Sequence, residues 1–75
     1  MGEMIILTHE GDTNIMWDPD SDKSIRNAKK KFKDLLGKGY KAFRMSSKGN
    51  KQGSFILDFP PHAAELLLIP PMVGG

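Results

Sequence analysis

"ELLLIP", residues 65–70, decides the reading of the fold. Leu66, Leu67, Leu68 and Ile69 run without the polar alternation that a strand with one wet face shows. "MIIL", residues 4–7, has the same character. Strands of this kind belong in the crowded middle of a sheet, and a chain of 75 residues has room for one such middle. The first and last strands are therefore expected as neighbours. Pro70 and Pro71 carry no N–H, so the ladder is expected to close at that point.

The elements between these two strands follow from local signals. "MIILTH" (4–9), "EGDT" (10–13) and "NIMWD" (14–18), with Ile15 and Trp17 on one side, predict a hairpin whose loop is longer than two residues. "DPDSDKS" (18–24) offers several N-cap residues, and its acids suit the positive end of a helix. Ile25, Ala28, Phe32, Leu35 and Leu36 then recur on one helical face, and Gly37 or Gly39 is the expected terminator. "YKAFRMS" (40–46) reads as a strand, "SKGNKQG" (47–53) as a polar loop, and "SFILDF" (54–59) as a strand with Phe55, Leu57 and Phe59 on one face. Pro60 and Pro61 stop that strand, and Trp17, Phe32, Phe55 and Phe59 read as core residues.

The order is ββαβββ, an α+β class with a mixed sheet of four to five strands and one main helix across it. That arrangement is the β-grasp. Residues 1–70 form the expected single domain, and residues 71–75 a flexible C-terminal tail.

Composition narrows the function classes. A chain this short buries about 60% of the surface its unfolded form exposes, which leaves little room for an internal catalytic cavity. The absence of cysteine removes disulfides, thiolate zinc sites and a cysteine nucleophile. Its longest apolar stretch is far shorter than a membrane span, Glu3 replaces the basic start of a signal peptide, and Ile6 stands where a myristoylation motif wants Ser or Thr. A cytoplasmic monomer without membrane contact is expected.

Charge is segregated. Residues 1–22 hold six acids and no Lys or Arg, whereas residues 23–51 hold all eleven bases against Asp34 alone. Lys23, Arg26, Lys29, Lys30, Lys31 and Lys33 are expected on the outer face of the helix, with Lys38, Lys41 and Arg44 nearby. Arg26, Lys29, Lys30, Lys33 and Arg44 are the candidate docking residues. A solvated face explains such a run equally well; the functional alternatives are an acidic protein partner or nucleic acid, the latter the weaker because only Tyr40 could stack a base. His9, Glu10 and Asp12 in the first turn are better read as a polar turn than as a metal site, and His62 stands alone. Two unassociated histidines make no Ser-His-Asp arrangement, and "LGKGYK" lacks phosphate-loop spacing. No catalytic residue, bound cofactor or metal is expected.

The ending "LLLIPPMVGG" (66–75) resembles that of the ubiquitin-like sulfur carriers. It is most similar to the small subunit of molybdopterin synthase, which ends in a strand, a Pro-Pro pair, a short apolar step and Gly-Gly. The thiamine sulfur carrier and the small archaeal modifiers share the Gly-Gly end. Those carriers commonly place a Gly-Asp-Glu-type turn before the last strand, where this chain has "PPHAAE" (60–65). The resemblance implies a protein that is not itself an enzyme. An E1-like partner would spend ATP to adenylate the Gly75 carboxylate, for delivery to a sulfur acceptor or a conjugation target. Gly74 would be the spacer, and Pro70, Pro71, Met72 and Val73 the tail's contacts with the partner. The contrasting expectation is a small binding or structural module, of phage or mobile-element type, working through its basic helix.

Overall fold

The chain alternates strand pairs around one helix, and a computed structural model describes residues 1–45 and 53–71. The elements are β1 (Gly2–Thr8), β2 (Gly11–Trp17), α1 (Asp22–Gly37), β3 (Lys41–Met45), β4 (Gly53–Ile56) and β5 (Glu65–Ile69). They build an α+β domain with a five-stranded mixed sheet in the order β2-β1-β5-β3-β4. β5 runs parallel to β1, with Met4 beside Leu66 and Ile6 beside Leu68. It runs antiparallel to β3, with Ala42 beside Leu68 and Phe43 beside Leu67. The two unalternating apolar runs are thus neighbours in the middle of the sheet.

Alternate side chains divide between two faces. Met4, Ile6, Ala42, Leu66 and Leu68 are buried in one cluster with Ala28, Phe32 and Leu35 of α1. Ile25 and Leu36 pack at its margin. The amphipathic helix therefore covers this face, and burying Phe32 alone stabilises the fold by about 1.5–3 kcal/mol. α1 starts at Ser21, whose Oγ accepts the Ser24 N–H at 3.2 Å, and Ser24 Oγ in turn accepts the Asp18 N–H at 2.8 Å. Gly37 is its last helical residue, and Gly39, just beyond the Lys38 cap, is the left-handed terminator. Gly39 has φ +96, its N–H donates to the Leu36 carbonyl at 3.0 Å, and the Tyr40 N–H reaches back to Leu35 O at 3.1 Å.

Two local expectations need correction. The first hairpin turns on two residues, His9 and Glu10, because Thr8 and Gly11 already pair. The Thr8 hydroxyl closes that turn, accepting the Glu10 N–H at 3.2 Å and donating to the Gly11 carbonyl. Gly11, Asp12 and Thr13 of the expected loop are strand residues. The second correction concerns "SFILDF". β4 ends at Ile56, and Phe55, Leu57 and Phe59 do not share a face. Phe55 is 56% exposed and Leu57 69%, whereas Phe59 is buried. The chain bends after Ile56 and carries Phe59 under the helix. There its ring lies 4.8 Å from Trp17 and 5.7 Å from Phe32. Trp17, Phe32 and Phe59 are core residues as expected; Phe55 is not. Most of the expected polar loop lies outside the described residues.

Trp17 ties this bend to the sheet. Its Nε1–H donates to the Pro61 carbonyl at 2.9 Å, and its indole occupies the space beside Gly2, its partner across β1 and β2. A Cβ at Gly2 would fall 2.2 Å from two indole carbons, so only glycine leaves room for the ring.

Candidate functional site

Two features meet where β5 leaves the sheet. Ile69 is the last paired residue of β5, opposite Lys41, and is 37% exposed. Pro70 is half-buried and Pro71 exposed. A Cβ at Gly39 would lie 3.3 Å from Cβ of Pro71, so the chain leaves the central strand across the C-terminal end of α1. Met72, Val73, Gly74 and Gly75 lie outside the described residues.

The second feature is the sheet face opposite the helix. Strand register lines up Asn14, Ile5, Leu67, Phe43 and Phe55 in one row across all five strands. Ile5, Leu67 and Phe43 are half-buried, and the Phe43 and Phe55 rings meet edge-on at 5.8 Å. A shallow depression of about 280 Å³ lies among Phe43, Met45, Gly53, Leu67 and Ile69. Ile69 thus belongs both to this apolar surface and to the exit of β5. Carboxylates fringe one end of the face, where Glu3 pairs with Glu65 and Asn14 Nδ2 donates to Glu3 Oε2 at 2.7 Å. The arrangement places an exposed apolar depression beside the residue at which β5 ends. It supplies no acid–base pair or nucleophile of its own among the residues that line it.

This row was not read as a site from the sequence, although a signal for it exists. "MIIL" and "LLLI" are apolar on both faces, and the helix covers only one. The residues left over, with Phe43 and Phe55, are the surface row.

The basic candidates divide. Lys23, Arg26, Lys29, Lys30, Lys31 and Lys33 are all exposed on α1, away from Ala28, Phe32 and Leu35. Arg44 is exposed on β3, opposite Leu66, and is not part of the helix. Lys41 alternates with Ala42 and so belongs to the open face with Phe43. Lys38 pairs with Asp34 at 3.6 Å. Tyr40 is half-buried against the core edge, which leaves it a poor stacking platform. His9 and Glu10 are exposed in the first turn and Asp12 is exposed on β2. No helix among the described residues is long and apolar enough to cross a membrane.

A scan against protein-family models and searches of curated proteins and of solved structures return no match to this chain.

Proposed function

We propose that this chain is a ubiquitin-like β-grasp carrier or modifier whose Gly75 carboxylate is activated by an E1-like partner. The observation that carries the reading is the exit of β5. The central strand leaves the sheet at Ile69, which also lines the apolar depression of the open face. A partner seated on Phe43, Leu67 and Ile69 would hold the domain while drawing Met72 to Gly75 into its own active site. The order ββαβββ and the parallel pairing of β1 with β5 support the β-grasp assignment.

The chemistry belongs to the partner. A Gly75 carboxylate oxygen attacks the α-phosphorus of ATP and pyrophosphate leaves. A sulfur nucleophile or an amine then attacks the acyl carbon, and AMP departs. Glycine suits this step because no Cβ obstructs the carbonyl or widens the tail in a narrow channel. Pro70 and Pro71 restrict the exit segment, which lowers the entropy lost when a partner orders the tail.

Intact-mass measurement on the protein recovered from its own host tests this directly and identifies its last residue. A sulfur-for-oxygen replacement at Gly75, or an isopeptide remnant on another protein, is the expected result. Neither species under sulfur demand or stress, or a mature chain that does not end at Gly75, overturns the proposal.

A further inference from the structure

We propose that the outward face of α1 binds the phosphodiester backbone of duplex nucleic acid without reading its sequence. Segment 22–38 holds seven bases and two acids, a net of +5. Arg26, Lys30 and Lys33 form one row on the side turned away from the core, and the exposed Lys29 and Lys31 flank that row on opposite sides. Among the described residues the one ion pair on this helix is Lys38 with Asp34.

The chemistry of the face selects its partner. One Arg stands among five exposed lysines from Lys23 to Lys33, so the surface offers point charges and few planar forks for carboxylates. Asn27 stands between them and Asp34 and Gly37 follow, with no fully exposed apolar side chain to anchor a protein. Protein interfaces deplete lysine and depend on aromatic or arginine anchors, whereas phosphate binding needs only positive charge in the right density. Phe32 is buried and Tyr40 half-buried, so the helix has no platform for unstacked bases. The face therefore suits a duplex backbone, whose phosphates it can meet without stacking any base.

Geometry agrees in scale. Lys23 to Lys33 spans about 15 Å of helix, along which a DNA duplex carries roughly nine phosphates. Asp18, Asp20 and Asp22 precede or occupy the first turn and repel a polyanion, so contact concentrates on the stretch from Arg26 to Lys33. That leaves about three to five phosphate contacts, enough for weak, salt-sensitive, sequence-independent binding.

The test is fluorescence anisotropy of the full chain with labelled duplex DNA, duplex RNA and polyglutamate across a salt series. The expected slope of log K against log salt is about −3 to −4.5 for a duplex, with little change when the sequence is scrambled. Tighter binding of one duplex names the natural source. The triple variant Lys29→Gln, Lys30→Gln and Lys33→Gln keeps helix propensity and should flatten the slope by about 3, weakening binding about tenfold or more. A circular-dichroism spectrum like that of the unmodified chain confirms that it folds. No duplex binding at low salt overturns the proposal. So does a folded triple variant with an unchanged slope, or polyglutamate bound as tightly as either duplex.

Discussion

The Cβ that Gly39 lacks would sit 3.3 Å from Cβ of Pro71, so the residue that ends the helix is also the surface over which the chain leaves the sheet. Gly39→Ala meets two penalties there, a left-handed backbone at φ +96 and a crowded proline. It should destabilise the domain by about 1–2 kcal/mol in urea titration. Gly37→Ala is the control. Nothing lies within 4 Å of a Cβ there and its conformation is helical, so that change should stabilise by up to about 1 kcal/mol. Equal effects at both positions would contradict both penalties at Gly39.

Trp17 and Gly2 should be coupled. Trp17→Phe removes the hydrogen bond to Pro61 and opens space in a fully buried site, costing about 2–4 kcal/mol. Gly2→Ala forces a methyl into the indole's benzo ring, costing about 1–3 kcal/mol. Phenylalanine lacks the indole carbons that clash, so the alanine should cost less in the Trp17→Phe background. A double-mutant cycle measures the difference, and strict additivity would contradict the contact.

The open face should separate binding from folding. Phe55→Ser touches a residue 56% exposed and should change stability by less than about 1 kcal/mol, while weakening association with the proposed E1-like partner. Phe32→Ala, in the core, should cost about 3–5 kcal/mol. Calorimetry for stability and pull-down from the host for association read the two effects apart. Unimpaired association of the Phe55→Ser and Phe43→Ser double variant would remove the open face from the proposed docking site.

Two acidic residues share one register position in the middle of the sheet. Glu3 and Glu65 are neighbours across β1 and β5, and the Asn14 amide relieves only one of them. Glu65→Gln should therefore raise stability by roughly 0.2–1 kcal/mol at low salt, with the gain shrinking as salt rises. A loss of stability would mean that the Glu65 carboxylate has a favourable partner.

Much of this architecture was legible because its signals are local or strongly periodic. Ile25, Ala28, Phe32 and Leu35 define a helix face at any reading, and the apolar runs at 4–7 and 66–69 need the centre of a sheet. Strand ends were harder. Whether Phe59 continues a strand or turns under the helix depends on Trp17, more than forty residues away, and no short-range pattern carries that contact. The first hairpin is legible but its turn is shorter than expected, because the Thr8 hydroxyl closes it within two residues and lets Gly11, at φ +135, start the next strand. The surface row was hidden for a related reason. Phe55 resembles a core residue until register places it at the sheet edge beside Phe43.

The place of β5 between β1 and β3 also bears on how the molecule is made. The two hairpins, β1–β2 and β3–β4, share no strand pairing with each other; β5 alone joins them. A nascent chain must therefore emerge as far as Ile69 before the sheet can close, because every pairing that β5 makes is long-range. Such topologies fold slowly for their size. The same dependence means that Pro71 comes to lie beside Gly39 only in a domain whose last strand is already in place.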